Sequence, residues 1–375
     1  MTRAVTRISI EGFRSLKAID FAPGRVTVLI GANGSGKSNL LSALRMIPLM
    51  RTGSLRRFVG EAGGASALVH YGPKVTREVG LRLEFAQDTG SNAYAARLGY
   101  GAGDAFIFLD ETIEYKRPGD TDFQVVSLGA GHAESRLEEA AQDPTNKIAK
   151  AVNWWLSKMS FFHFHDTSMT APLRQNAGQA NTPFLRSDGS NLGAYLRCLA
   201  SSEVEEQRKA WNRIVLLVRR LAPFIKTLQP TLVNPSHPTT SAVRLDWIDE
   251  KDEIFGPHHL SDGTLRAIAL ITALAQPADN LPAFISIDEP ELGLHPAALT
   301  VLASLVSSVA SRCQVLLATQ SPALLDFFEP SDVVVAERSA GETTFRRLVP
   351  EELDQWLEDY NLSELYDKNI LGGRP

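Results

Sequence analysis

The run Arg25-Val26-Thr27-Val28-Leu29-Ile30-Gly31-Ala32-Asn33-Gly34-Ser35-Gly36-Lys37-Ser38 passes from a β-branched apolar segment straight into a glycine-rich loop. The apolar half reads as a strand covered on both faces, and residues 37–46 read as a helix ended by Pro48. Residues 31–38 satisfy the full G-x-x-x-x-G-K-[ST] pattern, in the strand-loop-helix setting that the pattern needs. Gly31, Gly34 and Gly36 let backbone amides turn inward toward phosphate oxygens, at a helix N-terminus that already favours negative charge. Ala32, Asn33, Ser35 and Asn39 complete the expected phosphate-binding set; Lys37 is expected on the β- and γ-phosphates and Ser38 on Mg²⁺. Alone, this stretch implies nucleotide binding and nothing more.

Three later segments narrow the reading. Phe284-Ile285-Ser286-Ile287-Asp288-Glu289-Pro290 is a mostly apolar strand that ends in two carboxylates. Asp288 suits a metal ligand, often through water, and Glu289 suits the base that orients and deprotonates an attacking water. Glu291 is the weaker candidate, and the plain alternative is a strand ending in acidic turn residues. In Leu260-Ser261-Asp262-Gly263-Thr264, Ser261 and Gly263 precede an apolar helix and offer a hydroxyl and amides to a second anion. One chain rarely needs two cradles for the same γ-phosphate, so this one is expected to serve a partner's ATP; a simply capped helix is the plain alternative. Leu317-Ala318-Thr319-Gln320-Ser321-Pro322 closes the order. Its amide Gln320 can position water or sense a γ-phosphate but cannot carry a proton.

Length and composition fit this picture. At 375 residues, 44% hydrophobic and 22% charged, the chain suits one large α/β domain with an inserted subdomain. A net charge of −5 gives no global positive field, so DNA contact needs a local patch, Arg51, Arg56 and Arg57 being the candidate, though a solvated loop is the favoured reading of those three. Cys198 and Cys313 are the only cysteines, which supports neither a disulfide framework nor a zinc site and fits a reducing cytosol. No apolar run approaches membrane-spanning length, and no signal-peptide core is visible, so a soluble cytoplasmic protein is expected.

Along the chain, residues 1–130 read as a lobe carrying the phosphate loop and an antiparallel sheet. Residues 131–225 read as a mainly helical insertion, and residues 226–375 as a βα-alternating lobe with parallel strands. Between the helices, residues 162–188 are irregular. His163 and His165 would share one face of a strand there, without an evident third metal ligand.

The order of these motifs resembles the ABC-type ATPase head of the RecF/SMC/OLD group, and more closely the small bacterial RecF-like ATPases of the AAA family. Further stretches share the likeness: residues 12–16, 70–74, 187–192, 291–296 and 369–375. The resemblance implies an α/β P-loop fold with a strand-rich N-terminal lobe and a helical insertion. It implies ATP and Mg²⁺ as ligands, with Lys37 and Ser38 on phosphates and metal, Asp288 on the metal and Glu289 as base. It also implies Arg14 near the nucleotide, residues 293–295 as the D-loop of a dimer seam, and Ser261 and Gly263 closing on the opposite protomer's ATP.

The implied function is an ATP-hydrolysing, head-to-tail homodimer that drives or gates a separate effector protein in DNA repair or anti-phage defence. Two departures matter. Gln320 stands where transporter motors carry a histidine, and no convincing Q-loop glutamine appears, residues 70–74 being the region expected to hold its counterpart. The alternative is therefore a nucleotide-gated scaffold that assembles an effector with negligible hydrolysis; a membrane transporter subunit fits least.

Overall fold

The computed structural model describes residues 3–178, 183–233 and 241–374, arranged in two compact units. The first comprises Met1–Ser160, Ala283–Ser286 and Arg312–Pro375; the second comprises Phe161–Pro282 and Ile287–Ser311.

The first unit opens with β1 (Ala4–Phe13), β2 (Leu16–Phe21) and β3 (Val26–Ile30), then α1 (Lys37–Arg51) and α2 (Leu55–Glu61). Next come β4 (Glu78–Gln87), β5 (Gly90–Gly101), β6 (Ala105–Lys116) and β7 (Gln124–Gly129), followed by α3 (Leu137–Gln142) and α4 (Lys147–Ser157). β1 and β2 join β4 to β7 in an antiparallel sheet of order β2-β1-β4-β5-β6-β7. Alternating burial along β4 leaves Val79, Leu81, Leu83 and Phe85 on the covered face. α4 belongs to this unit, where Trp155 stacks on Phe85 with ring centroids 5.0 Å apart.

β8 (Met159–Phe162) leads into the second unit, which holds β9 (Ala177–Gly178), α5 (Leu192–Ala200), α6 (Glu205–Leu221), β10 (Ile225–Val233), β11 (Ala242–Asp249), β12 (Ile254–Phe255) and α7 (Asp262–Leu274). The helical stretch 131–225 is thus divided, α3 and α4 in the first unit and α5 and α6 in the second. Of residues 162–188, residues 179–182 lie outside the described residues. β13 (Phe284–Asp288) runs from the first unit into the second, and α8 (Pro296–Ala310) follows.

The chain returns to the first unit with β14 (Gln314–Thr319), β15 (Val333–Ser339), β16 (Glu342–Arg347), α9 (Pro350–Leu357) and α10 (Leu362–Asp367). The second sheet has the order β16-β15-β3-β14-β13-β8, and β3 pairs in parallel with both β14 and β15. Every residue of β3 and of β14 is buried, as a central parallel strand requires. Gln314 ties β14 to the N-terminal strand: its Oε1 accepts from Val5 N at 2.5 Å and its Nε2 donates to Val5 O at 2.9 Å.

One local expectation is corrected. α1 does not stop at Pro48 but runs on to Arg51; the proline removes one amide bond, and the last turn is closed by Thr52 N bonding to Leu49 and Met50 carbonyls. Arg51, the last residue of α1, donates to Asn153 Oδ1 at 3.3 Å, and Arg57 pairs with Glu61 at 3.7 Å. Both cysteines are free thiols, and burial pushes the Cys313 thiol up to about 12. Among the described residues no helix is long and apolar enough to cross a membrane.

Candidate functional site

In the first unit, β3 delivers the glycine loop against β15 and β16. A Cβ on Gly31 would lie 2.4 Å from the Ala336 carbonyl oxygen, so only glycine fits the crossing. Gly36, at φ +108°, presses against Thr343, whose hydroxyl would sit 2.0 Å from an added Cβ. Thr343 bonds to Ser35 O at 2.9 Å and pairs with Ser15 Oγ at 2.7 Å, and Asn39 Nδ2 donates to that same Ser15 Oγ at 2.7 Å. Asn39, Ser15 and Thr343 thus form a relay that fixes the loop floor. Thr343 was not legible in the sequence, because its partner Ser35 lies 308 positions away.

α1 starts with Gly36 as its N-cap, without a side-chain cap and without an acid in its first turn. Its first amides and the positive end of its dipole therefore remain suited to an anion. Lys37 is buried, and its Nζ donates to the carbonyls of Gly31 at 2.6 Å and Ala32 at 3.0 Å. Ala32, Asn33 and Gly34 form the loop's outer side, and Ser38 is exposed beside Lys37. The exposed Ser38 hydroxyl is a hard oxygen, the donor chemistry that Mg²⁺ prefers.

Arg14 adopts φ +47°, its amide bonding to Leu68 O at 2.8 Å and its carbonyl meeting His70 Nδ1. Burial holds its guanidinium below the usual arginine range. A cavity of about 290 Å³ is lined by Arg14, Ser15, Asn39, Tyr71, Arg338 and Gly341. Residues 70–74 fold around Arg14, with Tyr71 Oη donating to Ala340 O at 3.0 Å; they contain no glutamine. Gln320 follows β14, half-buried at the turn where Ser321 N donates to Thr319 Oγ1 at 2.9 Å.

In the second unit, Asp288 ends β13 and Glu289 turns the chain at φ +44°. A non-glycine residue held there carries backbone strain of about 1 kcal/mol, which marks the turn as a candidate functional position. His165 Nε2 lies 3.0 Å from Asp288 O, and its Nδ1 lies 3.7 Å from Glu289 Oε2. The sequence offered no third ligand beside His163 and His165, yet the fold supplies one: donor atoms of both histidines and Asp288 fall within 4.8 Å of one another. The two rings stack with centroids 4.0 Å apart and planes within 16°. The rings form a stacked pair, with His165 Nε2 turned to the Asp288 carbonyl.

Ser261 caps α7, accepting from Thr264 N at 3.1 Å, so the plain capping reading is realised while the hydroxyl stays exposed. The buried Arg174 pairs with Asp262 at 2.8 Å and also donates to the carbonyls of Thr167, Pro257 and Leu260. That pairing offsets the acid in the first turn of α7. A Cβ on Gly263 would lie 2.2 Å from Gly293 O, so the Ser261–Thr264 turn and the 293–295 turn meet backbone to backbone. Arg266, buried within α7, donates to Phe164 O and His165 O, each at 2.8 Å, and to Leu292 O. Burial lowers its pKa. Arg266→Met strands three carbonyls, and we expect about 3 kcal/mol of lost stability, read as a lower urea midpoint. An unchanged midpoint would show that the clamp is not structural.

Two family models match the chain: "AAA domain, putative AbiEii toxin, Type IV TA system" over residues 205–326, and "AAA ATPase domain" over residues 4–50. The DNA replication and repair protein RecF of Pseudomonas syringae pv. tomato is 27% identical over 257 residues, covering 66% of this chain and 63% of RecF. The Old nuclease of Escherichia phage P2 is 22% identical over 95% of this chain and 63% of its own length. The chain therefore spans less than two thirds of either relative. Among solved structures, an Smc head bound to the C-terminal winged-helix domain of ScpA superposes with a TM-score of 0.60 at 16% identity, covering 94% of this chain and 99% of that one. A Pyrococcus furiosus Smc head with an extended coiled coil gives 0.59 at 15% identity, over 96% and 99%. With the α/β P-loop fold and the motif order above, these matches make the chain similar in fold and motif order to the ABC-type ATPase heads of the RecF/SMC/OLD group.

Proposed function

We propose that the chain binds Mg-ATP, dimerises head to tail around it and hydrolyses it to drive or gate an effector protein. The observation that carries this reading is the phosphate loop, where an uncapped helix N-terminus and the buried Lys37 ammonium share one glycine-built turn. Lys37 would exchange the carbonyls of Gly31 and Ala32 for β- and γ-phosphate oxygens. Ser38 and Asp288 would hold Mg²⁺, which neutralises phosphate charge when bound. Glu289 would take the proton of the attacking water, and Gln320 would orient that water through its amide. Ser261 and Gly263 of one protomer would close on ATP held by the other.

The name of one relative, a DNA replication and repair protein, supports a role in DNA repair; a role in anti-phage defence rests on the motif resemblance, and a net charge of −5 does not itself favour DNA as a partner. A cytoplasmic location goes with that reading. A second reading, a nucleotide-gated scaffold with negligible turnover, is favoured by Gln320, which cannot shuttle a proton.

Light scattering and phosphate release, run side by side with and without Mg-ATP, separate the two. ATP-dependent dimers with steady phosphate release support the engine; dimers without release support the scaffold. Ser261→Arg places a bulky cation on the exposed cap, and we expect unchanged ATP affinity in the monomer with loss of ATP-induced dimers. Dimers that persist in this variant would remove the signature from the seam.

A further inference from the structure

We propose that residues 371–374 are a working part of the phosphate loop and set the affinity for nucleotide through a single peptide plane. The inference rests on the reading of residues 31–38 as an ATP site, and it gives a task to a segment to which the sequence assigned none.

α10 carries the chain back toward β15, and Asn369, Gly372 and Gly373 turn it at φ +57°, +78° and +80°. Three contacts fasten the returning segment: Arg346 Nη2 donates to Leu371 O at 2.6 Å, Gly373 N donates to Glu337 Oε1 at 2.8 Å, and Tyr366 Oη donates to Gly373 O at 3.0 Å. The same Gly373 oxygen accepts the amide of Ala32, the second residue of the loop, at 2.8 Å.

That amide belongs to the peptide bond between Gly31 and Ala32, whose other end is the Gly31 carbonyl held by Lys37 Nζ at 2.6 Å. A trans peptide is planar, with N–H and C=O pointing in opposite directions. Fixing the N–H on Gly373 therefore fixes where the carbonyl points, and with it the resting place of the Lys37 ammonium. Without Gly373 the plane is free to rotate, which can turn a carbonyl oxygen toward the region where phosphate oxygens bind. Anion binding would weaken through the peptide plane alone, with no contact from Gly373 itself to the phosphates required.

The site is closely fitted. A Cβ on Gly373 would lie 2.6 Å from Val335 Cγ1 and 3.6 Å from Gly31 Cα, at a φ that disfavours any side chain. A Cβ on Gly372 would lie 2.3 Å from Glu337 Oε1, the acceptor that anchors the segment.

Four versions of the 375-residue chain test the proposal: wild type, Gly373→Ala, Glu337→Ala and Glu337→Gln. Each is measured for Mg-ATP affinity by calorimetry and for its melting midpoint without nucleotide. We expect Gly373→Ala to weaken ATP by about tenfold or more, and Glu337→Ala by several-fold. Glu337→Gln keeps an acceptor oxygen and should retain near-wild-type affinity, with unliganded midpoints of both Glu337 variants close together. Rescue by glutamine at equal stability is the result that a merely structural role would not give. Wild-type affinity in both Gly373→Ala and Glu337→Ala overturns the proposal while leaving the ATP site intact, and so does an equal loss in Glu337→Ala and Glu337→Gln. Failure of the wild type itself to bind ATP overturns the reading of residues 31–38 and the proposal with it.

Discussion

Glu289→Gln is expected to slow steady-state phosphate release by about 10²- to 10⁴-fold while leaving ATP binding intact, the range for loss of a positioned general base. The amide has nearly the shape of the carboxylate, so the strained turn at φ +44° after β13 should survive. What disappears is the ability to accept a proton from water. If each protomer's signature closes on its partner's ATP, a variant that binds but cannot hydrolyse should accumulate as an ATP-locked dimer. Phosphate release and light scattering on the same sample read both consequences. An unchanged rate would take Glu289 out of the chemistry. A wild type that dimerises with ATP yet releases no phosphate would leave the variant nothing to lose and would favour the scaffold. His165 is the neighbour to watch, since its Nδ1 lies 3.7 Å from the Glu289 carboxylate. Substituting Glu289 alone, with His165 retained, keeps the turn supported at Asp288 O.

The parts of the site that were legible in the sequence are those whose chemistry is local. The β3 run, the glycine loop and the acidic end of β13 each declare themselves within eight residues or fewer, because spacing and residue type suffice. The supports were not legible. Thr343 under Gly36, Glu337 and Gly373 beside Ala32, and Arg266 across Phe164, His165 and Leu292 act through backbone groups far away in the chain. A carbonyl accepts from any donor that reaches it, so such contacts leave no residue pattern at the receiving end. The same blindness hid Asp288 as a third donor near His163 and His165, since strand order, not sequence distance, brought it there. Pro48 misled in the other direction. Its local rule, a missing amide, held, yet α1 lost one bond and kept its next turn because Ile47 and Met50 are buried.

Lys37→Ala should remove most of the affinity for ATP, by about 10²- to 10⁴-fold. Two charge-assisted bonds to phosphate oxygens are worth roughly 1.5–3 kcal/mol each, and their loss together converts to that range. The cost has a second source. With the ammonium gone, the carbonyls of Gly31 and Ala32, which it now holds at 2.6 and 3.0 Å, would face the phosphates as uncompensated negative dipoles. Lys37→Arg is the sharper companion variant. It keeps the charge, but a planar guanidinium needs more width than an ammonium, and the loop is closed on the side where Gly36 presses against Thr343. Calorimetric titration of Mg-ATP should therefore find both variants weak, alanine more so. Micromolar affinity retained in Lys37→Ala would mean that the amides of the loop and α1 carry the phosphates unaided, and that the lysine serves the fold of the loop instead of its ligand.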